Sequence, residues 1–264
     1  MLDVNHVSKT FNKATINEKK ALIDLNLHLS DGDFVTVIGG NGAGKSTLLN
    51  AVAGVWPIDS GSIILDGKDI TGLPDYKRAE NIGRVFQDPM MGTAPDMQVE
   101  ENLALAFRRG QKRGLRWEVT REERELYYEQ LKTLGLGLED RMKAKVGLLS
   151  GGQRQALTLF MAALKKPELL LLDEHTAALD PATAAKVLEL SDRLVQDGNL
   201  TTMMITHNMT DAIRHGNRLI MMDRGRIILD ISGEEKKHLT KKDLLEKFAE
   251  VAGKQEETDS VLLS

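Results

Sequence analysis

The chain has 264 residues, a formal net charge of −4, 41% hydrophobic residues and no cysteine. This balance predicts a globular fold and excludes disulfide scaffolds and thiolate metal sites. No stretch approaches the roughly 18 consecutive apolar residues of a transmembrane helix, residues 1–10 lack the apolar core of a signal peptide, and no basic excess indicates nucleic acid. We therefore expect a soluble chain without a nucleic-acid partner.

The first elements in chain order are strands. Alternating apolar and polar residues predict half-buried strands over residues 2–7 and 21–29. An apolar run at 34–38 predicts a buried strand that meets two glycines, and residues 46–53 predict a helix closed by Gly54. Short strands are predicted again at 62–65, 83–86, 169–172 and 202–205. Because helical stretches separate them, we expect a parallel α/β sheet.

Between Gln87 and Lys165 the pattern changes to that of helices. Thr120 and Glu123 form a capping box, and Gly135 follows as the predicted helix end. This indicates a helical subdomain inserted into an α/β core. The predicted division is a core of residues 1–87 and 166–231, a helical subdomain of residues 88–165, and a C-terminal helix and tail of residues 232–264.

Residues 39–46 read GGNGAGKS, the pattern of a phosphate-binding loop. Glycines let backbone N–H groups turn toward phosphate oxygens, Lys45 can reach the β- and γ-phosphates, and the Ser46 hydroxyl can ligate Mg²⁺. The loop alone leaves kinases, GTPases, motors and transporters open, although the guanine-reading motif of a GTPase is absent. The residues predicted to bind nucleotide here are Gly39, Asn41, Gly42, Ala43, Gly44, Lys45, Ser46 and Thr47.

Two later motifs complement this loop. A buried strand at 169–172 ends in Asp173, which can reach Mg²⁺, and Glu174, which can orient and polarise a water molecule. Residues 149–153 read LSGGQ, and Ser150 with Gln153 forms a capping box that opens a helix. The glycine amides of Gly151 and Gly152 at this helix start predict a second anion site.

These motifs, with Gln87 at a strand end, the run AALD that ends at Asp180 and His207 after an apolar strand, resemble the ATPase subunits of ABC transporters over roughly residues 2–231. The resemblance implies a P-loop NTPase (RecA-like) core with an N-terminal antiparallel β subdomain and an inserted α-helical subdomain. It also implies ATP and Mg²⁺ as cofactors, with Ser46, Gln87 and Asp173 around the metal.

The resemblance further implies a head-to-tail pair of such domains. ATP on one phosphate-binding loop is completed by Ser150, Gly151, Gly152, Gln153 and Asp180 of the other. One set of motifs per chain favours a homodimer. The catalytic residues implied are Glu174, His207, Gln87 and Lys45, and Phe11 occupies the place of an aromatic ring stacked on adenine.

The run from Asp173 to Pro181 resembles a bacterial subgroup of importers in which the ATPase works with a permease and a substrate-binding lipoprotein, with aromatic amino acids as the implied cargo for some members. This places the chain on the cytoplasmic face of the cell membrane through its permease. An exporter ATPase and a soluble non-transport ATPase, such as a cofactor-assembly scaffold, remain alternatives.

Two features have no place in this scheme. His175 stands where the family commonly has proline, and the pattern gives it no mechanistic role. A dense basic run predicts a solvated loop, with contact to anionic lipid head groups as the alternative. Its members are Arg108, Arg109, Lys112, Arg113 and Arg116.

Overall fold

The computed structural model describes residues 1–111 and 119–250, in which strands and helices alternate. The first elements are β1 (Leu2–Phe11), β2 (Lys19–Leu29), β3 (Phe34–Gly39), α1 (Lys45–Ala53), β4 (Ser60–Leu65), β5 (Lys68–Asp69), α2 (Asp75–Arg78), β6 (Ile82–Val85) and α3 (Val99–Phe107). They are followed by α4 (Arg121–Lys132), two 3₁₀ turns (Glu139–Arg141 and Val146–Leu148), α5 (Gly151–Ala163), β7 (Leu169–Asp173), α6 (Pro181–Gly198), β8 (Thr202–Ile205), α7 (Met209–Arg214), β9 (Arg218–Asp223), β10 (Arg226–Ser232) and α8 (Gly233–Lys237). Residues 241–250 are also helical.

The larger sheet has the strand order β10-β9-β3-β8-β7-β6. All neighbouring pairs are parallel except β9 with β10, so the predicted parallel α/β sheet is confirmed. Val37 is paired with Ile205, and Asp173 is paired with the same residue from the other side. The carboxyl ends of β3, β7 and β8 therefore meet at one edge, where ligands bind in open α/β sheets.

The smaller sheet is antiparallel and has the order β2-β1-β4-β5. Leu2 in β1 is paired with Leu29 of β2 on one side and with Leu65 of β4 on the other. The antiparallel β subdomain implied by the resemblance is thus confirmed. Because β4 and β5 follow α1, the phosphate-binding loop lies between β2 and β4 of this sheet in chain order.

Strand β7 joins the two layers of the core. Its alternate side chains point to opposite faces. Leu169 and Leu171 belong to the cluster that packs α1 and the antiparallel sheet against the larger sheet. Leu170 and Leu172 belong to the cluster that packs helices α3 to α6 against the opposite face. All four side chains are fully buried, so the two clusters hold β7 from both sides.

Helix α4 begins as predicted and ends earlier than predicted. Thr120 and Glu123 form the expected capping box of α4. The helix ends at Lys132, and Gly135, at φ +67°, donates its N–H to Lys132 O in a tight turn beyond it. The predicted strand 83–86 lies one residue earlier, because pairing with β7 starts at Ile82. No helix within residues 1–111 and 119–250 is both long and apolar enough to cross a membrane.

Tyr127 of α4 carries a polar atom into this core. Its side chain is fully buried, its ring lies edge-on to Phe107 with centroids 6.2 Å apart, and its hydroxyl has no hydrogen-bond partner among the described residues. Burial, reinforced by Glu123, raises the pKa of this hydroxyl to about 12.

Tyr127→Phe is therefore expected to increase the free energy of unfolding by about 1 kcal/mol, because it removes a desolvated polar group without leaving a partner unpaired. Urea unfolding of the purified protein measures this difference. Tyr128→Phe is the matched control, since Tyr128 is 39% exposed and should leave stability unchanged. A loss of stability in Tyr127→Phe would show that the hydroxyl has a partner.

Candidate functional site

The phosphate-binding loop connects β3 to α1 and is fixed by its neighbours. Gly39 has φ +151°, and a Cβ there would lie 2.2 Å from Met222 O of β9, so only glycine fits. Ala43 O accepts a 2.9 Å hydrogen bond from the N–H of Gly225 in the β9–β10 turn, and Gly225 O accepts one from Ile23 N of β2. The loop is thus held from both sheets.

The open end of α1 faces this loop. Gly44 is the N-cap residue in the left-handed conformation, and no side chain caps the helix start. Lys45 is 7% exposed, and its Nζ donates to Gly39 O at 2.8 Å and Gly40 O at 3.2 Å. Free amide donors, the positive helix end and a fixed ammonium group together form an arrangement that can hold phosphate oxygens.

The cleft above the loop, of about 220 Å³, brings together most of the predicted nucleotide-binding residues of this half of the site. Phe11 lies on its rim, with its ring 5.0 Å from that of Trp56 in an edge-on contact. Lys19, paired with Phe11 across β1 and β2, also lines the cleft, and its Nζ would lie 3.1 Å from a Cβ on Gly42. The remaining lining residues are Ala21, Asn41, Gly42, Ala43, Gly44, Lys45, Ser46, Thr47 and Glu174.

Asp173 ends β7 in a partly buried position. Burial raises the pKa of its carboxyl group, while Arg84 and Lys45 oppose the shift and Glu174 adds to it. Arg84 Nη2 lies 3.6 Å from Asp173 Oδ2 and donates to Asn50 Oδ1 at 2.9 Å, so it links the strand end to α1. Arg84 was absent from the sequence prediction.

Glu174 and His207, two of the predicted catalytic residues, lie close together. Glu174 has φ +45°, a conformation uncommon for a side chain larger than glycine, and its N–H donates to Ile205 O at 3.1 Å. Its Oε2 lies 3.4 Å from His207 Nδ1. The acid side chain is 22% exposed and the histidine 64%, so both can meet a nucleotide at the surface.

A metal ion at this edge would be bound partly by the nucleotide. Among the described residues no group of three or more His, Cys, Asp or Glu side chains could hold a metal. The hydroxyl of Ser46 and the carboxylate of Asp173 are the oxygen ligands that Mg²⁺ prefers, with phosphates and water filling its shell. Gln87, two residues beyond β6, is exposed and stays a predicted ligand.

The LSGGQ segment has the predicted geometry but does not line the nucleotide cleft. Ser150 Oγ accepts from Gln153 N, and Gln153 Oε1 accepts from Ser150 N, both at 3.2 Å. Ser150, Gly152 and Gln153 line a separate cavity of about 470 Å³ that shares no residue with the nucleotide cleft. Asp180, the N-cap of α6, lies near Gly151, since a Cβ on Gly151 would lie 3.6 Å from Leu179, the residue before Asp180.

His175, which had no role in the sequence analysis, is 2% exposed, and its Nε2 lies 2.9 Å from Ser191 Oγ of α6. Burial, reinforced by His215, lowers its pKa to about 4. It therefore stands in the structure as a neutral, buried ring directly after Glu174.

The solvated-loop interpretation of the basic run is wrong for its first two residues. Arg108 forms an ion pair with Glu123, with Nη2 2.7 Å from Oε2. Arg109 Nη2 lies 3.4 Å from Ala162 O, and burial lowers its pKa. Lys112, Arg113 and Arg116 lie outside the described residues.

Comparison with known proteins places these features in a family. The family model described as ABC transporter matches residues 22–177. The chain is 45% identical over 248 residues to the tyrosine transport ATP-binding protein of Clostridioides difficile strain R20291, covering 94% of this chain and 98% of that protein. It is 34% identical to the spermidine/putrescine import ATP-binding protein PotA of Haemophilus influenzae, spanning 59% of PotA's length.

Solved structures agree with these relatives. The ATP-binding cassette MJ0796, in a dimeric post-hydrolysis state bound to ADP and Pi, superposes with a TM-score of 0.73 at 30% identity, covering 88% of this chain and 98% of that one. The cassette MJ1267 of an ABC transporter gives a TM-score of 0.77 at 28% identity, covering 94% of this chain and 98% of that one. The P-loop NTPase fold class is confirmed.

Proposed function

We propose that this chain, which belongs to the ABC transporter family and is an ATP-hydrolysing subunit of such a transporter, powers import of an amino acid through separate permease subunits. Tyrosine is the first candidate for the amino acid. The observation that carries the cargo is the near full-length match to a tyrosine transport ATP-binding protein, at 45% identity. The observation that supports ATP hydrolysis is the cleft that joins the phosphate-binding loop to Glu174, whose carboxylate lies 3.4 Å from His207 Nδ1.

The proposed chemistry divides among the residues of this cleft. Lys45 and the loop amides hold the phosphates, Phe11 stacks on adenine, and Glu174 orients the attacking water. His207 contacts the γ-phosphate from its position 3.4 Å from Glu174, and Gln87 approaches the same water. Ser46, Gln87 and Asp173 would hold Mg²⁺, which neutralises phosphate charge when bound.

The site is proposed to be completed by a second copy of the chain. The cleft of about 220 Å³ is smaller than the 300–1,000 Å³ typical of small-molecule pockets, which supports a site that a second chain completes. The capped start of α5, with Ser150, Gly151 and Gly152, forms part of a separate surface. The dimeric MJ0796 cassette supports pairing of the two surfaces across a homodimer, with Gln153 and Asp180 at the same interface.

The permease is proposed to bind beside the helical insertion. Residues 88–99 follow Gln87, and Met91 in this segment is 69% exposed. An apolar side chain presented here suits contact with a cytoplasmic helix of a membrane subunit. The chain would then work on the cytoplasmic face of the membrane, and a substrate-binding lipoprotein would act through the permease without touching this chain.

Purification from native membranes tests this function. The tagged chain, extracted in mild detergent, is expected to bring a permease with it, and the complex in liposomes, supplied with the substrate-binding lipoprotein, should take up labelled tyrosine only with ATP and Mg²⁺. A complex carrying Glu174→Gln is the control and should not transport. Recovery of the chain without any membrane subunit would favour the soluble ATPase, and outward transport would favour the exporter. Uptake of another solute alone would show that tyrosine is not the cargo.

A further inference from the structure

Two buried histidines come shortly after the proposed catalytic residues Glu174 and His207 in the chain. His175 comes directly after Glu174 and is 2% exposed. His215 is 4% exposed and is the C-cap of α7, whose N-cap, Asn208, directly follows His207. Neither ring lines the nucleotide cleft. His175 therefore acts through the adjacent Glu174, and His215, which lines the neighbouring cavity together with Glu174 and His207, acts through helix α7.

His175 is anchored to α6 by a directional pair of hydrogen bonds. Ser191 Oγ donates to Val187 O at 2.9 Å, which uses its only proton. The 2.9 Å contact between Ser191 Oγ and His175 Nε2 therefore requires Nε2–H as the donor. Ser191 is fully buried, so water cannot replace either bond. The ring is fixed in one tautomer and one orientation.

His215 is anchored to Asp192, the residue after Ser191 on α6. Its Nδ1 donates to Asp192 Oδ2 at 2.8 Å. Its backbone carbonyl accepts a hydrogen bond from the buried Nζ of Lys236. Ring and backbone are both held, and α7 is thereby fixed at its end. The start of α7 is fixed by Asn208, whose Oδ1 accepts from Thr210 N at 2.9 Å.

We propose that Ser191 and Asp192 of α6 are positioning residues for ATP hydrolysis, because they hold Glu174 and His207 at their working separation through His175 and His215. The proposal rests on the roles assigned to Glu174 and His207 above. Glu174 needs such support, since its φ of +45° is a strained conformation that only surrounding structure maintains. The separation at stake is the 3.4 Å between Glu174 Oε2 and His207 Nδ1.

Steady-state kinetics of Ser191→Ala and Asp192→Ala test the proposal. Each is expected to lower kcat about tenfold or more, because small displacements of reacting groups are costly, while KM for ATP stays within about twofold. The KM is preserved because neither Ser191 nor Asp192 lines the cleft that contains the phosphate-binding loop and Phe11. In a double-mutant cycle, Ser191→Ala should add little to His175→Ala, since both remove one shared bond.

Conservative replacements separate positioning from packing. His175→Gln keeps an N–H donor near the position of Nε2 and His215→Asn keeps one near Nδ1, so both should retain more of kcat than the alanine variants. Thr202→Val is the matched control for losing a buried hydroxyl, because Thr202 Oγ1 is buried and bonds Leu200 O at the far end of β8. It should lower the melting temperature and leave kcat unchanged.

An unchanged kcat in Ser191→Ala and Asp192→Ala, or an equal fall of kcat in Thr202→Val, would overturn the inference. Glu174→Gln, measured in parallel, keeps the two questions apart. If Glu174→Gln abolishes hydrolysis while the α6 variants do not, only the positioning inference fails. If Glu174→Gln hydrolyses ATP normally, the assignment of the reaction centre fails first.

Discussion

Glu174→Gln is expected to lower the rate of ATP hydrolysis by roughly a hundredfold or more, the usual effect of losing a general base, while ATP binding persists. Glutamine has the shape of glutamate but cannot accept a proton from water. The loss of one negative charge also leaves the γ-phosphate less repelled, so a dimer should accumulate in the presence of ATP. Phosphate release gives the rate, and light scattering after size-exclusion chromatography gives the mass.

Glu189→Gln is the matched control for this change. Glu189 is an exposed acid on α6 that lines the same cavity of about 320 Å³ as Glu174 and His207. Its neutralisation removes the same charge from the same cavity, so it should leave the rate and the mass as in the unmodified protein. Near-normal hydrolysis by Glu174→Gln, or equal loss in both variants, would contradict the role proposed for Glu174.

Mixed dimers are expected to recover activity that each parent lacks. Lys45→Ala removes the ammonium group of the phosphate-binding loop, and Gly151→Asp places a carboxylate at the start of α5. Each homodimer should be nearly inactive. A purified heterodimer of the two has one site with an intact loop and an intact facing helix start, so about half of the normal rate per dimer should return if the sites are independent.

Gly151→Asp is suited to this test because the chain itself tolerates it. A Cβ at Gly151 meets only Leu179, at 3.6 Å, and an acid in the first turn favours a helix. The loss of activity then arises from repulsion of phosphate across the interface. The reciprocal control is a heterodimer with both changes on one chain, which damages both shared sites and should be inactive. Activity in this control, without recovery in the first heterodimer, would place the whole site in one chain.

The local sequence pattern was sufficient to predict much of the fold and the strand ends and helix starts that form the site. The buried strands before Gly39 and at Asp173, the two capping boxes at Thr120 and Ser150, and the αL residue at Gly54 all depend on short-range chemistry. Each lies where the sequence predicts it, within one or two residues. The approach of Glu174 and His207 followed from neighbouring parallel strands, since β7 and β8 end at the same edge.

Residues that act across strands were missed. Lys19 reaches the phosphate-binding loop only because β2 pairs with β1, and Arg84 reaches Asp173 only because β6 lies beside β7. The sequence shows both as ordinary cations in polar positions. Arg108 shows the opposite error, since a run of basic residues concealed its ion pair with Glu123, fifteen positions later. The contacts of Lys19, Arg84 and Arg108 depend on strand pairing and side-chain direction, which the local sequence pattern does not contain.

The order of strands in the larger sheet has a consequence for how this protein is made. Strand β3, which precedes the phosphate-binding loop, lies between β8 and β9, and Ala43 in the loop is bonded to Gly225. A ribosome therefore releases the loop long before the strands that flank it. We expect a nascent chain to acquire affinity for ATP only after residue 225 has left the exit tunnel, so translation itself delays the first binding event.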